Sequence, residues 1–283
     1  MTPPVHPLPS KGYDARLVDA LLGLACSLPC GTPVLGLAGV QGTGKSTLAG
    51  QLVDAAAAQG RKAVAISIDD VYLTRAERQR LAREVHPLLA TRGPPGTHDV
   101  AMACQLIDAL RSLAPGDDLG LPGFDKIADE RLSGDAWQRA SGPVDLIVLE
   151  GWFLKTPPEP DAAMEAPLNS LERERDAEGR WRRHCNTALG SYAPLWARID
   201  HLVFLQPPGF EVVRQWRWQQ EQDLQARHPG RRAMDHAQVM AFIEYFERVS
   251  RQALRTLPGL ADTVIRIDAR RRPQWPPQGS NAP

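Results

Sequence analysis

Val34-Leu35-Gly36-Leu37-Ala38-Gly39-Val40-Gln41-Gly42-Thr43-Gly44-Lys45-Ser46-Thr47 is the stretch that decides the fold. From Gly39 to Ser46 it satisfies G-x-x-x-x-G-K-[ST] at each fixed position. The apolar run before it reads as a short buried strand, and residues 46–59 after it read as a helix closed by Gly60. Strand, glycine loop and helix form the context in which this pattern holds phosphate. Glycines let successive backbone N–H groups turn inward around phosphate oxygens, and the helix N-terminus adds partial positive charge. Lys45 is placed to reach the outer phosphates and Ser46 to offer its hydroxyl to Mg²⁺. Gly39, Gly42, Thr43, Gly44 and Thr47 complete the cradle. The stretch therefore implies a nucleoside triphosphate site rather than a plain glycine-rich turn.

The composition of the 283-residue chain is ordinary for a soluble globular protein. Formal net charge is zero, which gives no global field favouring nucleic acid or an acidic membrane. Lysine is scarce: Lys11, Lys45, Lys62, Lys126 and Lys155 are all there are, and the other cations are arginines. Cys26, Cys30, Cys104 and Cys185 form no C-x-x-C pair and have no histidine at zinc spacing, so they read as reduced thiols. No apolar run is long enough to span a bilayer, and residues 1–10 lack a basic start with an apolar core. A cytoplasmic protein is expected. Oligomeric state is not legible.

Strands and helices alternate along the chain. Leucines 17, 21, 24 and 28 place an amphipathic helix over residues 13–28. A second strand covers residues 62–68 and ends at Asp69-Asp70. Thr74 with Glu77 marks a capping box that opens a helix to about residue 89. Residues 99–113 are helical, and 114–142 read as loops. A third strand over 144–149 ends at Glu150, and a fourth covers 201–205. Helices follow over about 209–227 and 235–256, then a last strand over 264–267. The fold class expected is α/β: a three-layer P-loop NTPase fold with a mainly parallel sheet, helices on both faces, and helical and loop insertions forming acceptor site and lid. Residues 1–11 and 270–283 read as flexible tails around one domain over 12–269, with an insertion at about 155–200.

In parallel sheets ligands gather at the carboxyl ends of strands, and the chemistry-bearing residues follow strands here. Glu150 closes an apolar run of Walker B type and would orient a Mg²⁺ water or contact the metal. Asp69 is the candidate general base, and also a candidate metal contact beside Ser46 and Glu150. Asp70 would share that role, assist with substrate or metal, or cap the next segment. Arg214 and Arg217 lie three apart on one helix face and suit a lid over phosphates, or a solvated face. Arg92, His98, Asp99, Asp125, Lys126 and Arg131 sit in Gly/Pro-rich loops. Their cations suit a small anionic acceptor held partly by arginine–carboxylate contact.

These residues carry a resemblance. The chain resembles the plant-type D-glycerate 3-kinases and their relatives, within the group of uridine kinase, phosphoribulokinase and pantothenate kinase. The matching stretches are Gly42-Thr43-Gly44-Lys45-Ser46, Ser67-Ile68-Asp69-Asp70-Val71-Tyr72-Leu73-Thr74, Arg92-Gly93 with Gly96-Thr97-His98-Asp99, and Pro122-Gly123-Phe124-Asp125-Lys126. Glu150-Gly151-Trp152, Asn186 with Leu189 and Tyr192, Trp216-Arg217 and Ile267-Asp268 complete the set. It departs at Val71, Phe124 and Ile127, where family members commonly carry Phe, Tyr and Ser. The resemblance implies ATP- and Mg²⁺-dependent phosphorylation of D-glycerate at its 3-hydroxyl. It implies Asp69 as base, Glu150 at the Walker B end, and Tyr72 among the substrate residues.

Two other readings stand beside it: a kinase for another small hydroxyl acceptor such as a nucleoside, pantothenate-like compound or sugar derivative, and a nucleotide-dependent switch ATPase. No Asn/Thr-Lys-x-Asp run for guanine readout occurs, which counts against the switch.

Overall fold

The computed structural model describes residues 12–227 and 234–275. Asp14 accepts a hydrogen bond from the Arg16 N–H and caps α1 (Ala15–Cys26), so the first helix begins two residues later than leucine spacing suggests. The fully buried run Val34–Ala38 is β1, and the glycine loop leads into α2 (Lys45–Ala58). β2 (Ala63–Ser67) ends in a 3₁₀ turn over Ile68–Val71. Thr74 and Glu77 form the expected capping box at the head of α3 (Arg75–Glu84). That helix stops short of residue 89 because Pro87 cannot continue it, and a 3₁₀ turn over Pro87–Ala90 takes its place. α4 (Val100–Arg111) is capped by Asp99.

Residues 114–142 carry more than loops. β3 (Asp118–Leu121) pairs antiparallel with β6 (Gln138–Ser141), and between them β4 (Phe124–Asp125) pairs with β5 (Glu130–Arg131). β7 (Leu146–Gly151) returns to the main sheet. The region expected as an insertion contains α5 (Ser170–Arg175), α6 (Arg180–Ser191) and α7 (Ala193–Trp196). β8 (His201–Gln206), α8 (Glu211–Arg227), α9 (His236–Leu260) and β9 (Thr263–Ile267) follow. Residues 270–275, assigned to a tail from composition, contain β10 (Pro273–Gln274), which pairs antiparallel with β9. The tail expected over 1–11 and that beyond 275 lie outside the described residues.

The main sheet has the order β10-β9-β8-β1-β7-β2, parallel except at the β10 edge. Successive β1 residues face opposite layers: Leu35 and Leu37 join α1 and α2, while Val34 and Ala38 join α4, α7 and α9. This is the three-layer α/β sandwich expected from the strand–helix alternation. β1, β2 and β7 are neighbours, with Leu37 opposite Glu150 and Ser67 also opposite Glu150. The carboxyl ends of three strands therefore bring Gly39, Asp69 and Glu150 to one edge.

Candidate active site

The glycine loop is held from both sides. Gly42 has φ +86°, and a Cβ there would stand 2.8 Å from the Trp216 Cβ. Gly44 has φ +88°, with the Tyr13 ring 3.2 Å from the place a Cβ would take. Both positions need glycine for conformation and for space. The Tyr13 hydroxyl donates to the Thr43 carbonyl at 2.5 Å. Gln51 fixes Tyr13 in turn, accepting from its backbone N–H and donating to its carbonyl, both at 2.8 Å. Lys45 is buried and donates to the Val40 carbonyl at 3.3 Å. Burial pulls its ammonium below the ordinary lysine value, against the opposing pull of Glu150 and Asp69. The Ser46 hydroxyl donates to Glu150 Oε1 at 2.8 Å.

Asp69 sits in the 3₁₀ turn after β2 with a donor on each carboxylate oxygen. The Tyr72 hydroxyl donates to Oδ1 at 2.6 Å, and the Lys126 ammonium donates to Oδ2 at 2.9 Å. Burial works against its charge, but Lys126 and the Tyr72 hydroxyl together hold the carboxyl below the usual aspartate value. Asp70 accepts from the Ser67 N–H at 2.9 Å and closes a capping box on the turn. Burial pushes it up to about 6, with the Ser67 N–H opposing and Asp69 reinforcing. Of the roles open to Asp70 in the sequence, the geometry displays capping.

The loop cations converge on the β4–β5 hairpin, and most are already engaged. Arg92 pairs with Asp129 at 2.5 Å and donates to the Lys126 carbonyl at 3.1 Å. Arg131 donates to the Tyr72 carbonyl at 2.8 Å and pairs with Asp99 at 3.4 Å. Asp125 accepts from the Ile127 and Ala128 N–H groups and shapes the hairpin turn. Arg78, which sequence reading passed over, is fully buried and ties together the Leu73, Ala90 and Asp129 carbonyls. An arginine on a polar helix gives no sign of this; its contacts come from three separate segments. Phe124, at a departure from the family pattern, packs edge-on against Tyr72 and beneath the Arg78 and Arg92 guanidinium groups. Ile127, at another, is 88% exposed at the hairpin tip.

His98 bridges to Tyr72 across a two-residue β-bridge and lies 4.7 Å from its ring. The Gly96 N–H donates to the Tyr192 hydroxyl at 3.0 Å, and that hydroxyl shares a hydrogen bond with His98 Nδ1, 2.7 Å away. Burial lowers His98 to about 4, with Asp69 opposing, so the ring is neutral, with Nε2 as its second nitrogen. That atom has no hydrogen-bond partner among the described residues. Behind His98, Phe153 is edge-on to both Tyr192 and Trp196, and Trp152 packs against Phe153 and Phe246. Asn186, quoted in the resemblance, bonds the Glu159 backbone through both amide atoms.

Arg214 and Arg217 lie on α8 as expected. Arg214 stands 3.6 Å from Glu247, and Arg217 reaches Gln220 at 2.6 Å with its guanidinium over the Phe242 ring. The same helix walls a cleft of about 370 Å³ in front of the glycine loop, lined by Tyr13, Gly42–Thr47, Gln220, Asp223 and Arg271. Arg271 reaches it from the segment before β10, its guanidinium 5.1 Å from the Trp216 ring and donating to the Trp216 carbonyl at 3.3 Å. Tyr13, Asp223 and Arg271 were not legible as site residues, because only the fold brings residues from the two ends of the domain together.

No protein-family profile matches the chain. It is 34% identical over 231 residues to the uncharacterized kinase mug58 of Schizosaccharomyces pombe, covering 77% of this chain and 80% of that protein. It is 30% identical over 257 residues to the chloroplastic D-glycerate 3-kinase of Arabidopsis thaliana, covering 85% of this chain and 53% of the plant enzyme, about half its length. Among solved structures, D-glycerate 3-kinase from Cryptococcus neoformans superposes with a TM-score of 0.72 at 25% identity, over 92% of this chain and 95% of that one.

Proposed function

Because the chain belongs to the P-loop kinase family that includes D-glycerate 3-kinase, and transfers phosphoryl groups from ATP to an alcohol acceptor, we propose that its acceptor is D-glycerate and its product 3-phosphoglycerate. The observation that carries this reading is the Asp69–Lys126 pair: a carboxylate for a hydroxyl proton and an ammonium for an anionic group stand 2.9 Å apart. Glycerate presents both partners, a primary hydroxyl and a carboxylate, on a three-carbon frame.

The roles follow from position. The glycine loop and Lys45 bind and orient the phosphates; Lys45, buried and among the described residues without an acidic partner in hydrogen-bond contact, gains a counter-charge when they arrive. The site fits Mg²⁺, because the Ser46 hydroxyl and Glu150 carboxylate, both oxygen donors, already stand within hydrogen-bond distance of each other. Ser46 and Glu150 would hold the ion, which supplies charge neutralisation for the phosphates. Asp69, with a donor on each oxygen, is kept for the proton rather than the metal. It accepts the acceptor's hydroxyl proton as the oxygen–phosphorus bond forms. Tyr72 holds its other oxygen in place. His98 Nε2, buried and without a partner among the described residues, is left for a hydrogen bond with the acceptor, while Arg92, Asp99, Asp125 and Arg131 shape the hairpin that presents Lys126. Arg214 and Arg217 would close over the phosphates from α8.

The test is an ADP-release assay with ATP, Mg²⁺ and separate acceptors: D-glycerate, L-glycerate, pantothenate, uridine and ribulose 5-phosphate. Stimulation by D-glycerate supports the reading. Stimulation by another acceptor alone moves the chain to a sister activity.

A further inference from the structure

The ion pair that suggests an anionic acceptor also engages the base. With Tyr72 on Oδ1 and Lys126 on Oδ2, each oxygen of Asp69 already accepts a protein donor, which leaves one lone pair on each and weakens its pull on an incoming hydroxyl proton. The two caps differ in mobility. Tyr72 is buried, whereas the Lys126 side chain is 57% exposed. The Lys126 backbone is pinned: Arg92 holds its carbonyl, Asp125 holds the next two N–H groups, and Arg78 holds Asp129. Only the lysine side chain is left to swing. Neighbouring Arg92 and Arg131 are occupied by Asp129 and Asp99.

Resting on the reading of Asp69 as the base, we propose that Lys126 is a specificity switch: it caps Asp69 until the acceptor's own anionic group draws the ammonium away and uncovers Oδ2 for the acceptor hydroxyl. The exchange swaps one carboxylate partner for another, so the lysine is never left without a counter-charge. A neutral polyol has nothing to offer the lysine, and neither has water. The pair therefore selects anionic acceptors and suppresses wasteful ATP hydrolysis, in which a water proton would pass to Asp69 as the water oxygen bonds the γ-phosphorus and ADP departs. A ligand shifts such an equilibrium only by its different affinity for the two states, and the acceptor's anion supplies that difference.

Lys126→Met tests this, since the side chain is mostly exposed and its loss leaves the hairpin contacts in place. Three rates are read on wild type and variant: ATP hydrolysis without acceptor, turnover with D-glycerate, and turnover with glycerol. The expected result is acceptor-independent hydrolysis raised about tenfold or more, a part of the roughly 10²–10⁴ a positioned general base contributes, with glycerol turnover raised and the D-glycerate KM increased. The added hydrolysis should vanish in Asp69→Asn/Lys126→Met. If Lys126→Met raises the D-glycerate KM but leaves hydrolysis and glycerol turnover at wild-type levels, the lysine only binds the carboxylate and the switch is overturned. If the wild type ignores D-glycerate yet the variant hydrolyses faster, the switch stands and the glycerate reading falls.

Discussion

On the proposed reading Asp69 carries the chemistry: β2 ends just before it and a 3₁₀ turn sets its carboxylate between Tyr72 and Lys126. Asp69→Asn keeps the side-chain volume and removes the proton acceptor. It is expected to lower kcat by about 10²–10⁴ while leaving ATP affinity intact, read by steady-state kinetics beside nucleotide titration. Lys45→Ala should abolish turnover, with the loss visible in nucleotide titration as well. His98 gives a pH signature. Folded, it stays neutral down to about 4; in the unfolded chain it takes up a proton near 6.5. The unfolded state binds the extra proton between those values, so stability falls as pH drops through that window. His98→Gln should flatten this loss, checked by urea midpoints at about pH 7 and about pH 5. That Asp69, Lys45 and Glu150 meet at one edge of the sheet was legible because each ends or follows a strand in a recognisable pattern. The cap on Asp69 was not, since Lys126 lies 57 residues away and only the folded hairpin delivers it.

At the scale of elements, the β4–β5 hairpin is the part that sequence reading missed. Strands of two residues have no periodicity to detect, and their polar residues read as loop. What holds the hairpin is Arg78, a fully buried guanidinium on α3 that bonds three carbonyls and pairs with Asp129 at 3.0 Å. Arg78→Met should cost roughly 3 kcal/mol, because Asp129 and the carbonyls lose a buried charged partner. Chemical denaturation measures the loss, and the acceptor KM should rise more than the ATP KM because Lys126 rides on this hairpin. The long elements were legible for the opposite reason. α9 shows a clear apolar stripe through Val239, Phe242, Phe246, Val249 and Ala253, buried throughout except at the half-buried Phe242.

Across the whole molecule, the two ends of the domain meet over the nucleotide cleft. Tyr13 comes from before α1, Arg271 from after β9, and Trp216 joins them by packing on Gly42 and donating to the Ala269 carbonyl at 3.1 Å. Composition alone assigned residues 270–275 to a tail, since proline and arginine signal loop; the pairing of β10 with β9 is a long-range fact that composition does not carry. Ending the chain after Ala269 should therefore raise the ATP KM severalfold and leave the D-glycerate KM nearly unchanged. The central claim, an anionic hydroxyl acceptor served by Asp69 and Lys126, is tested most directly by the ADP-release assay with D-glycerate and the four other acceptors. The account predicts ATP turnover that depends on D-glycerate and is lost in Asp69→Asn. Turnover that ignores every acceptor, or full activity in Asp69→Asn, would contradict it.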